Sequence, residues 1–577
     1  MASRGMSRRQ FLAASAGVAA MGLVEWTPAF VVPAGAEQST LPTPPQFPSG
    51  ISLYQQAFKN WSEEISLENA WTCAPRTAAD VVTLTNWAAA AGYEIRPRGK
   101  MHAWSPLSIP VGSNGANLVM ADTTQFLTSV TIAAAQHPAT VTVQPGVTMD
   151  VLLQRLEDAG LGLTAHPAPG DVTVGGVLAC DGHGAAVPAD GETRTAGHSY
   201  GSLSNLILSM TAVVWDPALR SYALRRFDRS DPAIAPLLAH VGRSFITEVT
   251  LQVGQNSRIR CVSSTDVSSS ELFGAPGSSP RTLDRYVARV GRVEAIWFPF
   301  TTEPWLKVWS LSPQKPLTSR PVQAPYNYVF ADAVQQPVSD AVRTILSGHP
   351  EAAPLLGAAS LAVSQAGLVA TATTDIWGWA KNLLLYVKPS TIRFTANGYA
   401  VITNRSSLQR VVHDFAQFYG TRLEAYRESG RYPINGPVEI RVTGLDQPGD
   451  VDHLAPQSPQ LSALRPRPDH PEWDIAVWID VLTLPGTPTA NQFYRELEQW
   501  MFSHYSGWAT VRAEWSKGWA YTDSGAWSDP TVLHQAIPAS LRDGQAPGDG
   551  WDAAMASLDR YDPFRVFSNA FLNALSQ

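Results

Sequence analysis

Arg98-Gly99-Lys100-Met101-His102-Ala103-Trp104-Ser105 brings a glycine turn, two cations and a histidine together within one short run. Successive backbone N–H groups at such a turn form a nest for a pyrophosphate, and Arg98 can add charge to it. A lone loop histidine is in most chains an ordinary surface residue, so His102 gains interest only from a second cluster downstream. That cluster is Gly170-Asp171-Val172-Thr173-Val174-Gly175-Gly176, Gly182-His183-Gly184, Tyr200-Gly201-Ser202-Leu203-Ser204-Asn205 and Phe245-Ile246-Thr247-Glu248. Glycines at 170, 175, 176, 182, 184, 191, 197 and 201 are too many for a helix or a plain sheet, and they let the backbone approach a ligand closely.

A second kind of chemistry lies further along. Gly436-Pro437-Val438-Glu439-Ile440-Arg441-Val442-Thr443 reads as a strand with Glu439 and Arg441 on one face and Val438, Ile440 and Val442 on the other. On a solvated face such an ion pair is worth little. Glu294 lies in the apolar and aromatic run Val293–Phe300, where it shares a face with Ile296 and Phe298. Desolvation there makes a carboxylate easier to protonate.

Other chemistries find less support. Gly197-His198-Ser199-Tyr200-Gly201 matches the nucleophile elbow of hydrolases, but a polar run precedes it and a Gly-Ser turn into a strand follows it, which is the wrong context. Cys73, Cys180 and Cys261 can make at most one disulfide and match no zinc spacing, and no H-E-x-x-H or C-x-x-C occurs, so no metal is expected.

The elements that position these residues interleave. A helix is expected over Val81–Gly92, short strands at Ile95–Gly99, Leu118–Ala121 and Thr140–Val143, and an amphipathic helix from Met149 to Ala159 closed by Gly160. Strands follow at Asn205–Trp215, Tyr222–Phe227 and Phe245–Val253. After the Ser/Pro/Gly-rich stretch 262–281 come spaced strands at Glu294–Phe300, Val438–Thr443 and Asp474–Leu482, with a helix at Ala490–His504. This is an α+β pattern, and 577 residues call for two domains. The 19 Trp, 16 Tyr and 19 Phe suit a roomy apolar cavity, while the net charge of −7 argues against nucleic acid as a partner.

In order and spacing, the two glycine clusters resemble the vanillyl-alcohol oxidase family, the p-cresol methylhydroxylase (PCMH) type, over residues 60–255. The resemblance implies FAD bound covalently through His102. The cysteine that gives some members a second bond is replaced by Pro169, so one bond is expected, with Cys180 a buried structural thiol. It further implies that Arg98, Gly99, Lys100, Met101, Ala103, Ser105, Asp171, Val174, Gly175, Gly176, Gly182, His183, Gly201, Ser202, Asn205 and Ile246 contact the cofactor. The runs Val293–Phe300, Asn435–Leu445, Arg465–Pro471, Asn491–Tyr505 and Glu514–Trp519 are similar to the class II bacterial cholesterol oxidases within that family. That likeness puts Glu294, Glu439, Arg441 and Lys517 on active-site positions, with Asp480 where the group carries Asn. It implies oxidation of a sterol 3β-hydroxyl with O2 as acceptor, and a shift of the Δ5 double bond to Δ4. Arg441 would hold charge beside the flavin, Glu439 or Glu294 would take the hydroxyl proton, and Glu294 would carry the isomerisation proton.

The expected layout is a PCMH-type FAD-binding domain over 51–254, a substrate domain on a large antiparallel sheet over 255–537, and a segment 538–577 that returns to the first domain. The alternatives are a family oxidase of another alcohol, such as a sugar or secondary metabolite, or an exported lipid-binding or ester-cleaving protein without flavin. A sterol substrate also implies transient contact with membranes or lipid particles.

Ser7-Arg8-Arg9-Gln10-Phe11-Leu12, an apolar stretch to Val24 and Ala34-Gly35-Ala36 read as a twin-arginine leader over 1–36, followed by a Pro-rich linker over 37–50. Secreted or periplasmic location is therefore expected. N-terminal sequencing of exported protein should begin at Glu37, and Arg8→Lys combined with Arg9→Lys should hold the precursor in the cytoplasm. Normal export of that double variant would overturn the twin-arginine reading.

Overall fold

The computed structural model describes residues 41–328 and 336–577. The expected leader and the first residues of the expected linker lie outside the described residues. From Pro42 onward that linker is packed as an arm, with Trp71 Nε1 donating to the Pro42 carbonyl (2.9 Å) and Trp87 Nε1 to that of Pro45 (3.0 Å).

Local signals start and stop the elements. Helix Ala78–Ala91 begins at a capping box, in which Thr77 and Asp80 each accept from the other's backbone N–H, and it stops at Gly92 in the left-handed region. It covers a four-stranded sheet whose order is Ser52–Lys59, Ser66–Ala74, Leu118–Asp122, Glu94–Arg98. A six-stranded sheet built around Phe245–Gln255 completes the N-terminal half. The glycine-rich stretch departs from expectation in one respect. Thr173 caps a short helix, Val174–Ala179, that contains Gly175 and Gly176. The reason is packing, since a Cβ on Gly175 would lie 2.7 Å from Pro145 Cβ.

The second half is built on a nine-stranded sheet, antiparallel except for one short edge pairing. Its central strands are Arg292–Trp297, Val438–Gly444, Ile475–Thr483 and Thr395–Thr403. Alternate residues (Val438, Ile440, Val442, Val477, Ile479) pack into the apolar core formed with helices Leu408–Glu428 and Ala490–His504. The intervening residues face the N-terminal half, and that face carries Glu294, Glu439, Arg441 and Asp480. The Glu439–Arg441 pair therefore lies between two layers and not on a solvated face. The strand of Glu294 ends at Trp297, short of Phe298.

The chain ends by returning to the first half. The Ile95 amide donates to the Val566 carbonyl (2.8 Å), Asn569 Nδ2 to that of Pro106 (3.1 Å), and Val566 and Phe567 enter the core beside Ile95 and Val119.

Buried polar contacts clasp the halves together. Asp446 accepts from the Ser202 amide (2.7 Å) and hydroxyl (2.9 Å). Ser462 Oγ lies 2.6 Å from both Asp446 and Asp181. One hydroxyl donates only once, so one of these carboxyls must hold a proton. Burial raises both carboxyls, and at Asp181 the charge of Asp446 adds to it, so the pair shares a proton. Arg229, fully buried, donates to the carbonyls of Gln457, Asn205 and Ile207 and to Asn205 Oδ1. Arg229→Ala strands these acceptors away from water and is expected to lower unfolding free energy by about 3 kcal/mol, read as a lower urea midpoint. An unchanged midpoint would show that the clasp is dispensable.

Candidate active site

Two neighbouring rows of cross-strand partners build the charged wall. One row runs Lys307, Glu294, Arg441, Trp478; the next runs Ile296, Glu439, Asp480, Gly398. Arg441 thus has Glu294 directly opposite, Glu439 two residues along its own strand and Asp480 on the diagonal, all within reach of a long side chain. Its guanidinium lies 3.3 Å from Glu439 and 3.6 Å from Glu294, and Nη2 donates to Asp480 Oδ2. Lys517 Nζ lies 3.4 Å from the same Asp480 oxygen and 4.2 Å from the centre of the Trp104 ring.

These residues border a cavity of about 500 Å³ between the halves. Glu439, Arg441 and Lys517 stand on its wall, whereas Glu294 and Asp480 lie behind it, with side chains 2 % and 0 % exposed. Tyr386 donates to Glu294 (2.5 Å). Burial pushes the Glu439 carboxyl up, Arg441 pulls against this, and the charge of Glu294 adds to it, leaving Glu439 above the usual range. Desolvation thus outweighs the pull of Arg441 on Glu439. Asp480 is driven up by burial but down further by Lys517 and Arg441, so it stays ionised.

The opposite wall carries the histidine loop. Met101 is in the left-handed region (φ 59°), and among the described residues none of the amides of Gly99–Ala103 donates to a backbone carbonyl. Ser244 Oγ and His240 Nδ1, on the same cavity, are buried without a hydrogen-bond partner among the described residues. These unclaimed donors suit an anionic, phosphate-bearing group. His102 stacks on Trp61 (ring centroids 4.5 Å apart), and its Nε2 pairs with Asp171 Oδ2 at 2.8 Å. Burial raises the Asp171 carboxyl, but the His102 contact overrides it and holds Asp171 below the usual range. The loop is tied across the cavity, with the Trp104 amide donating to the Ser516 carbonyl (2.7 Å) and Trp104 Nε1 to that of Phe394 (2.7 Å).

Of the residues expected at the cofactor, Gly99, Lys100, Met101, Ala103, Gly175, Gly176, Gly182, His183 and Ile246 line the cavity. Arg98 also borders it, but its guanidinium donates to the Ala57 carbonyl (2.9 Å) within the first sheet and offers no charge to the loop. Ser105, Asp171 and Val174 sit one layer back; Asp171 acts through His102, and Val174 is core. Gly201, Ser202 and Asn205 are not at the cavity. They close onto Asp446 and Gln447, and a Cβ on Gly201 would strike Asp446 Oδ1 at 2.3 Å. Their polar groups, which look like ligand contacts in sequence, join the two halves.

Three residues at the site escaped the sequence reading. Glu514 lies on the wall three residues before Lys517, inside a run already singled out, and burial followed by the charge of Asp480 pushes it up to about 8. Tyr386 has no pattern around it that marks it. Lys307, opposite Glu294, is fully buried with its ammonium 3.1 Å from the centre of the Tyr386 ring, and burial lowers it to about 8 against the pull of Glu294. Lysine in a strand is ordinarily solvated, which hid it.

Comparison with known proteins agrees with this layout. A family model described as "Cholesterol oxidase, substrate-binding" matches residues 258–577, and one described as "FAD binding domain" matches 70–216. No curated protein matches the chain. The solved structure of a solvent-stable cholesterol oxidase is 56% identical, with a TM-score of 0.92, and the match covers 93% of this chain and 100% of that one. The crystal structure of cholesterol oxidase from B. sterolicum is 46% identical at a TM-score of 0.91, with the same coverage of both chains. With its FAD-binding half, its nine-stranded substrate half and this similarity along nearly its whole described length, the chain belongs to the cholesterol oxidase family.

Proposed function

We propose that the protein oxidises the 3β-hydroxyl of a sterol and moves the Δ5 double bond into conjugation, using FAD covalently bound to His102. The observation that carries this reading is the division of the cavity wall. Glu439, Arg441 and Lys517 occupy one region, while Ile296, Phe298, Trp305, Leu356, Val363 and Phe394 make other parts of it apolar. That suits a large apolar molecule with one polar end better than a sugar.

The loop Gly99–Ala103 and Gly175–Gly176, in the first turn of helix Val174–Ala179, would hold the cofactor. With Nε2 engaged by Asp171, His102 has Nδ1 available for the covalent bond. Bound FAD supplies the hydride acceptor and passes the electron pair to O2, giving hydrogen peroxide. Arg441 presents a cation on the wall, fixed by its carboxylate partners. Isomerisation requires a carboxyl that takes a proton from one carbon and returns it to another. Glu439 fits this better than Glu294, because it stands on the cavity wall with its affinity for a proton raised. Glu294, behind the wall and held by Tyr386, positions Arg441. Helix Ala353–Ala370 has no charged residue, exposes Leu355 and Val369, and contributes Leu356 and Val363 to the cavity, which supports transient contact with membranes or lipid particles. Export through the twin-arginine leader is part of the same reading.

Acid-precipitated protein should remain yellow, and His102→Ala should release FAD into the supernatant while keeping slower turnover. A colourless wild-type pellet would sink the covalent bond. Peroxide and enone followed separately with cholesterol should show Glu439→Gln slowing enone formation about 100-fold, equivalent to about 2.7 kcal/mol of barrier. Its enone-to-peroxide ratio should fall well below that of Glu294→Gln, and equal ratios in the two variants would reject Glu439 as the proton carrier.

A further inference from the structure

Two carboxyl groups at the inner rim of the site face each other with no donor between them. Asp480 Oδ2 is engaged by Arg441 and Lys517, but its Oδ1 is buried without a hydrogen-bond partner among the described residues. Glu514 Oε2 is also buried and unpartnered, while Oε1 lies 3.4 Å from the Ser516 hydroxyl. His183 offers no donor. Its Nδ1–H is used on the Gly184 carbonyl (2.9 Å), and Nε2, 3.9 Å from Glu514 Oε1, is left as an acceptor. A Cβ on Gly398 would lie 2.7 Å from Asp480 Oδ1 and 2.9 Å from Glu514 Oε2, so both orphan oxygens converge on one glycine-sized space. Two ionised carboxylates so placed, away from water, repel strongly, and neither oxygen would have a hydrogen to accept.

We propose that Glu514 carries a proton on Oε2 and donates it to Asp480 Oδ1, so that the pair is a monoanion. Glu514 is then a positioning residue that holds Asp480 as the counter-ion of Arg441 and Lys517. The charged and titratable groups around Glu514 are Asp480, Lys517, Arg441, His183 and Cys180. His183 is pushed down to about 3 by burial and then Arg441, and Cys180 up to about 12 by burial and then Asp181, so both are uncharged near neutrality. Only Asp480 repels the Glu514 anion, and it joins burial in favouring the proton. The hydrogen bond is present while Glu514 is protonated and is lost as pH rises through about 8. Above that point a second negative charge competes with Asp480 for Lys517 and Arg441, which slows oxidation of the proposed substrate.

Difference infrared spectra of the holoprotein in H2O and D2O test the proton directly. A protonated-carboxyl C=O band should be present at pH 7, fade as pH rises through about 8, and be absent from Glu514→Gln. The rate of flavin reduction by sterol should show an alkaline limb in the same range in wild type, and Glu514→Gln should lack it, because its amide donates to Asp480 without titrating. In Asp480→Asn the anion is gone, so band and limb should both move down by about one pH unit or more. A wild-type spectrum without a component that Glu514→Gln deletes, or a limb that Glu514→Gln retains, would overturn the proposal. If Glu514→Gln fails to fold, Asp480→Asn decides, and an unmoved band rejects the shared proton. The infrared arm needs no sterol, so its result stands whether or not the sterol reading survives.

Discussion

A guanidinium removed from water is tolerable only where carboxylates compensate it, and Arg441 sets this condition for the whole wall. Its three carboxylate neighbours come from three strands, Arg292–Trp297, Val438–Gly444 and Ile475–Thr483. The register of the sheet therefore has to be right to one residue. A slip of one position would turn Arg441 into the apolar core and bring Ile440 or Val442 to the cavity. The unbroken apolar set on the other face is what resists such a slip, so packing against Leu408–Glu428 and Ala490–His504 also fixes the geometry of the charges.

Much of the architecture was legible because it rests on local pattern. Helix Ala490–His504 is bounded as its periodicity suggests, and the α+β layout follows from the interleaving of strands and helices. Val174–Ala179 was not legible. Two adjacent glycines argue against a helix when only propensity is weighed, and the tertiary neighbour that requires them, Pro145, lies far away in sequence.

At the site, type and spacing revealed the residues whose neighbours in sequence are their neighbours in space. Glu439 and Arg441 are two apart on one strand, and His102 lies in a single loop. Roles set by contacts distant in sequence were hidden. Ser202 and Asn205 answer to Asp446 and Gln447, Arg98 to Ala57, and Glu294 to Tyr386, and none of these pairings leaves a mark in either segment. The aromatic strand around Glu294 suggested apolar surroundings. Its own cross-strand partners, Lys307 and Arg441, and the Tyr386 hydroxyl supply it instead with two cations and a hydrogen-bond donor.

The closing residues of the chain complete the core of its opening domain, with the Val566 carbonyl accepting from the Ile95 amide and Asn569 gripping the loop that follows Ser105. During synthesis, then, the first domain emerges from the ribosome long before its last structural element exists. It cannot reach its final packing cotranslationally in the usual order of N-terminal domain first. Assembly of the cofactor pocket is thereby deferred until residues 566–569 have been made, and a product that stops short of them lacks contacts that the first-made domain requires.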